Sequence, residues 1–183
     1  MKVTETKLPG VFLIEPRVFG DERGYFFESY QEERYQAAGI PSRFVQDNVS
    51  KSQRGVLRGM HYQQGQPQAK LVQVVSGEVF DVAVDIREGS PNFGQWVGVV
   101  LTGENHHQLY IPEGFAHGFY VMSKTAVFQY KCSDYYAADK ERGLVWNDPD
   151  VGIEWPEGPE PVLAQRDAEF PRLKDIGVDL PKF

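Results

Sequence analysis

The sequence is poor in cysteine and histidine and has no long apolar run. Cys132 is the single cysteine among 183 residues, so no intrachain disulfide can form and burial and hydrogen bonding must hold the fold. No stretch approaches the ~18 uninterrupted apolar residues of a membrane span. The opening MKVTETKLPG carries no apolar segment of the secretory type. A cytoplasmic protein is the expectation. Positive charge is also in deficit: 19 Lys and Arg against 26 Asp and Glu leave a formal net charge of −7. That balance argues against nucleic acid or an anionic membrane as partner. It leaves open an anionic small molecule, which a few local cations are enough to hold.

The 41% of hydrophobic residues is enough to build a substantial core. No repeat, low-complexity tract or linker divides the chain, so one domain over residues 1–183 is expected. Gly 18 and Pro 12 supply many turns between short extended segments. Strands are predicted at Val11–Glu15, Val56–Gln63, Lys70–Val75, Glu78–Ile86, Gln95–Leu101, Gln108–Ile111, Phe115–Val121 and Ala126–Lys131, with Ser76-Gly77 as a turn. Closely spaced short strands point to an all-β sandwich or barrel. One helix is expected over Gln31–Ala38, opened by a Ser29/Glu32 capping box and ended by Gly39 and Pro41. From about Asp150 the chain is rich in Pro and acidic residues and is expected to wrap the barrel as loops with short helical turns.

The chemistry-bearing residues are few. His61 lies in the string VLRGMHYQ and His117 in IPEGFAHGF. The second string follows the Pro-x-Gly-x-x-His pattern of the cupin signature, which sets one His on an inward strand. Where metal-binding cupins supply two His and a Glu, this chain offers His61, Gln63 and Lys70. A cation and an amide make a poor metal site, so no metal and no cofactor are expected. His106 and His107 should alternate along a strand at the surface. An isolated His61 would read as a hydrogen-bonded core residue, but Arg58, Gln63 and Lys70 beside it are groups a core does not bury without purpose. Strand parity sends Arg58 and His61 to opposite faces, and a bulge at Gly59 is the way to bring them together. Tyr130 reads equally as a core tyrosine or an acid, and Asp167 alone as a solvated loop charge.

Longer strings then become informative: VFGDERGYFFESY from Val18, FVQDN from Phe44, VLRGMHY from Val56, GEVFDVAVDIR from Gly77, Ile111 to Phe119, and Trp146-Asn147-Asp148. In order and over nearly the whole chain, these resemble the dTDP-4-dehydrorhamnose 3,5-epimerase family. The resemblance implies a cupin-type jelly roll with a few short helices. It implies conversion of dTDP-4-dehydro-6-deoxy-D-glucose to dTDP-4-dehydro-L-rhamnose by deprotonation and reprotonation at C3 and C5. His61 is the implied base, Asp167 its partner, Lys70 the cation at the C4 oxygen and Tyr130 the acid on the opposite face. Arg23, Arg58 and Arg166 match positions that meet the pyrophosphate. Glu28, Gln46, Asn48 and Glu141 match polar contacts, His117 the sugar pocket, and Tyr136 the aromatic stacked on thymine. A homodimer is implied, with Arg23 and Glu28 reaching the partner's site.

Two positions depart from the family pattern. Val49 stands where a His is frequent, and the short loop Gln63 to Ala69 carries Pro67 near the pocket mouth. Both bear on nucleotide affinity more than on reaction type. Three other functions compete: a single-site epimerase, a cupin 3,4-ketoisomerase, and a non-catalytic carbohydrate-binding jelly roll.

Overall fold

The computed structural model describes residues 1–41 and 43–182. Thirteen strands appear in chain order: β1 Lys2–Glu5, β2 Phe12–Glu15, β3 Val18–Asp21, β4 Gly24–Phe27, β5 Gln46–Gln53, β6 Leu57–Gln63, β7 Lys70–Ser76, β8 Glu78–Asp85, β9 Trp96–Thr102, β10 Gln108–Ile111, β11 Phe115–Val121, β12 Thr125–Cys132 and β13 Glu141–Gly143. Helix α1 spans Glu32–Ala37, α2 spans Gln165–Ala168, and two 3-10 turns cover Leu173–Asp175 and Gly177–Asp179. The strands form a six-stranded sheet, β1-β2-β10-β7-β12-β5, a five-stranded sheet, β13-β6-β11-β8-β9, and a separate β3-β4 hairpin. The main-sheet pairings are antiparallel. Gly77, with φ +87°, turns the chain from one sheet into the other, and a Cβ there would lie 2.1 Å from the Thr125 carbonyl.

The apolar side chains divide into three clusters. One fills the space between the sheets, built on Val72, Val74, Leu101, Leu109, Phe119 and Phe128. Phe119 and Phe128 stack across that gap with ring centroids 4.1 Å apart, and truncating a buried Phe costs about 3–5 kcal/mol. A second cluster lies outside the five-stranded sheet. There Met60, Val82, Val84 and Leu144 are covered by Val151, Trp155, Leu173 and Ile176 of the C-terminal chain. This explains why β11 is buried throughout and shows no polar alternation: both of its faces are covered. The C-terminal segment wraps the sheet as expected. In the third cluster α1 and its flanks lay Tyr35 and Ile40 on Ile14, Leu71 and Tyr110 of the six-stranded sheet.

The strands expected from the sequence all form within a residue or two of their ends. Five strands were not expected. Strand β1 is mostly exposed, the β3-β4 hairpin packs little of its surface, and β13 has only three residues. Strand β5 lacks apolar alternation because its inward residues are polar. The helix is capped by Gln31, whose side chain accepts from the Arg34 N–H at 2.6 Å, and not by the Ser29/Glu32 box. Ser29 is instead occupied through its carbonyl, which accepts from Tyr35 and Gln108. His106 and His107 precede β10 and do not alternate along a strand. His106 has φ 55° and packs on Tyr25 and Phe27.

Candidate active site

Antiparallel register sets His61 on β6 directly opposite His117 on β11, while Arg58 faces Phe119. Three steps along β6 are therefore matched by two along β11, which is a bulge. The extra residue reverses the parity between Arg58 and His61, so both line one cavity. Gly59 and Gly118 make the bulge possible. Gly59 has φ +121°, and a Cβ on it would stand 2.6 Å from the Gly118 Cα, so neither position has room for a side chain.

Asp167 reaches His61 from 106 positions further along the chain. Val162 bridges to Val56 in parallel, exchanging hydrogen bonds with Gly55 and Leu57. This lays the chain beside β6 and delivers α2 against it. The carboxylate then accepts from His61 Nε2 at 2.9 Å and from the Gly59 N–H at 3.1 Å. Burial alone would raise the Asp167 pKa. The His61 hydrogen bond and charge, the Gly59 N–H and Arg166 outweigh it and hold the group below its ordinary value. An ionised Asp167 fixes the proton of a neutral His61 on Nε2, which leaves Nδ1 as the acceptor. Phe170 stands edge-on to the imidazole at 5.7 Å.

The cavity, about 360 Å³, lies between the two sheets. His61, Arg58 and His117 line it from the five-stranded sheet. Lys70, Tyr130, Gln46 and Asn48 line it from the six-stranded sheet, and Tyr136, Glu141 and Arg166 complete its rim. Burial pushes the Lys70 ammonium pKa down, against the opposing pull of Cys132, Glu141 and Asp81. Among the described residues Lys70 has no carboxylate within salt-bridge distance. Burial likewise raises the Tyr130 phenol, so it stays a proton donor. His117 Nε2 contacts both Asp81 oxygens, at 2.9 and 3.1 Å, and burial lowers its pKa despite that partner.

At the rim, the Tyr136 hydroxyl donates to Glu141 at 2.8 Å, and Arg166 pairs with the same carboxylate. Gln46 accepts from the Tyr136 N–H at 2.9 Å and donates to Asn48 at 3.1 Å. Arg58 donates through Nε to Ser52 Oγ at 3.1 Å, leaving the rest of its guanidinium toward the cavity. Gln63 faces away from this space: its amide holds the carbonyls of Gln66 and Tyr135 and the N–H of Ala137. The Gln63–Ala69 loop thus ties down the segment that carries Tyr136, and Gln68 secures it again at the Asp134 carbonyl.

Besides Gln63, two residues that match the family's binding positions, Arg23 and Glu28, are not brought to this cavity. Arg23 sits on the β3-β4 hairpin, paired with Asp21 and 84% exposed in its side chain. Glu28 follows the hairpin and pairs with Arg34. Val49 points outward and is 68% exposed, so its departure from the family pattern removes nothing from this cavity. Ser50, Gln68, Phe119, Phe128 and Cys132 also line the space and were not singled out. The alternation Gln46, Asn48, Ser50, Ser52 was the signal for Ser50. Among the described residues, no group of three or more His, Cys, Asp or Glu side chains is placed to hold a metal ion.

Comparison with known proteins agrees with this geometry. The family model for dTDP-4-dehydrorhamnose 3,5-epimerase matches residues 5–175. The Pseudomonas aeruginosa dTDP-4-dehydrorhamnose 3,5-epimerase is 56% identical over 96% of this chain and 97% of its own. A Legionella pneumophila dTDP-6-deoxy-D-glucose-3,5-epimerase, solved in complex with dTDP-4-keto-L-rhamnose, superposes with a TM-score of 0.97. It is 54% identical, and the match covers 100% of this chain and 98% of that one. A 3'-monoepimerase from Streptomyces bikiniensis, in complex with dTDP-quinovose, is similar at 37% identity. Its TM-score is 0.90, covering 97% of this chain and 91% of its own. A family match over most of the chain, relatives above half identity and a shared cupin-type jelly roll together establish that this chain belongs to the dTDP-4-dehydrorhamnose 3,5-epimerase family.

Proposed function

We propose that this chain, acting as one domain over residues 1–183, is a 3,5-epimerase. It converts dTDP-4-dehydro-6-deoxy-D-glucose to dTDP-4-dehydro-L-rhamnose without a cofactor. The observation that carries this reading is the 2.9 Å His61–Asp167 pair opening onto a cavity that also holds Lys70 and Tyr130. A C4 ketone acidifies the hydrogens on C3 and C5. His61 Nδ1 removes one of them, and the electron pair passes into the carbonyl to give an enolate. Lys70, a cation with no carboxylate to neutralise it, stabilises that oxyanion. Tyr130 gives its phenolic proton to the opposite face of the carbon. The imidazolium then loses its proton to solvent and the phenolate regains one, so each cycle is balanced in protons and needs no redox partner. Arg58 and Arg166 receive the diphosphate, Tyr136 stacks on thymine, Gln46, Asn48 and Glu141 hold polar groups of the nucleotide, and His117 borders the sugar. The test is turnover of the 4-keto substrate with NMR readout of configuration at C3 and C5.

A single-site epimerase is the second reading, favoured by the shared frame of the 3'-monoepimerase, because ring orientation decides how many carbons His61 reaches.

A homodimer is part of the proposal. The β3-β4 hairpin exposes Phe19 at 51%, Tyr25 at 58% and Phe26 at 70%, an apolar patch with Arg23 and Glu28 beside it. Docked on a second copy, these two residues reach the partner's cavity. Mixing dimers of Arg23→Ala with dimers of His61→Ala should then restore activity that neither has alone. A monomer by light scattering would contradict this. Among the described residues, no helix is long and apolar enough to cross a membrane. The lone cysteine, buried and unpaired, supports the cytoplasm as the compartment.

A further inference from the structure

Among the described residues, Ser50 Oγ is the one buried side-chain polar atom without a hydrogen-bond partner. Ser50 is among the residues that line the cavity. The other inward residues of β5 are already committed: Gln46 to Tyr136 and Asn48, Asn48 to Cys132, Ser52 to Arg58. Ser50 stands in register with Phe128, which stacks on Phe119, so the hydroxyl sits on an apolar wall. A buried hydroxyl left unmatched is a cost that native proteins rarely carry without a use.

We propose that Ser50 is a specificity-determining residue that hydrogen-bonds the 2-hydroxyl of the bound hexose; the assignment rests on the epimerase reading. The cations of the site answer the diphosphate and the ketone oxygen, and neither needs a neutral hydroxyl. A 4-keto-6-deoxyhexose attached through C1 keeps free hydroxyls only on C2 and C3. C3 is inverted during turnover, so its hydroxyl changes face. C2 keeps its configuration from substrate to product. A fixed group on a rigid strand serves every state of the reaction only if it holds the 2-hydroxyl. Sites that read a hydroxyl reject analogues lacking it, because their own polar group is then left unmatched.

Calorimetric titration of three ligands without a ketone tests this: dTDP, dTDP-glucose and dTDP-2-deoxyglucose. Wild type should bind dTDP-glucose on the order of tenfold more tightly than dTDP-2-deoxyglucose. Ser50→Ala should abolish that difference, leave dTDP affinity unchanged, and unfold at the same or a higher temperature, since it removes an unmatched polar atom. Equal affinity of wild type for the two sugars overturns the assignment. So does a Ser50→Ala loss shared by all three ligands, or a lowered unfolding temperature. Sugar discrimination by a wild type that forms no epimer would refute the catalytic reading and leave the Ser50 contact standing. An active wild type without discrimination would do the reverse.

Discussion

Asp167→Asn tests the pairing that defines the base. The carboxylate accepts two hydrogen bonds, from His61 Nε2 at 2.9 Å and from the Gly59 N–H at 3.1 Å. The introduced amide has one oxygen and one NH₂. The Gly59 N–H can only donate, so it claims the amide oxygen and turns the NH₂ toward His61. His61 Nε2 must then accept, and its proton moves to Nδ1, the atom that should take the substrate proton. The variant also loses the negative charge facing the imidazolium. At an effective dielectric of about 20 and a charge separation of about 4 Å that attraction is about 4 kcal/mol, or about a thousandfold in rate. The wrong tautomer adds to this, so kcat should fall by at least about 10³. Asp167 is 4% exposed and stands behind the ring, so dTDP affinity should stay within about twofold. Exchange of C3 and C5 hydrogens in D₂O measures the first quantity and calorimetry the second. A variant that retains kcat and loses dTDP affinity would show that Asp167 is a ligand contact and refute the tautomer argument.

Tyr130→Phe keeps the ring and removes the phenolic proton, so deuterium wash-in by His61 should outpace epimer formation; rates locked together as in wild type would make Tyr130 a packing residue. Lys70→Met should abolish turnover yet raise stability. The folded-state pKa of Lys70 is lowered by burial, so the unfolded chain holds the proton more readily, and wild-type stability rises with pH up to the ordinary Lys range near ~10.4. The variant should therefore be more stable than wild type at neutral pH, with the gain shrinking toward high pH; a fall in Tm would count against a desolvated cation. Gly59→Ala places a methyl 2.6 Å from the Gly118 Cα at a φ of +121°, and thermal unfolding should show a loss of about 2 kcal/mol or more. An unchanged Tm would show that the bulge relaxes freely.

The sequence made the apolar framework legible and the wet part of it obscure. Strands β7, β8 and β11 announce themselves through β-branched and aromatic runs, because they bury side chains on both faces. Strand β5 reads as a polar loop, since half its residues face the cavity and half face solvent. Hidden strands of this kind mark the site, where the pattern of burial is set by the ligand. The bulge at Gly59 was legible as a need, from the parity of Arg58 and His61, and its location followed from the glycine. Asp167 could be paired with His61 only through the family resemblance. No local pattern in Gln165-Arg166-Asp167 encodes a contact 106 positions away, which depends on the parallel bridge at Val162. The positions of Arg23 and Glu28 outside the cavity follow from an exposed hairpin that the residues around it did not advertise.

The account stands most directly on the number of carbon-bound hydrogens that the enzyme exchanges. Turnover of dTDP-4-dehydro-6-deoxy-D-glucose in D₂O, followed by mass spectrometry of the product with NMR assignment, should find two deuterons, one on C3 and one on C5, both carbons inverted. One deuteron would contradict the 3,5-epimerase and leave a single-site enzyme. No deuteron at either carbon, with dTDP still bound, would contradict His61 as a base altogether.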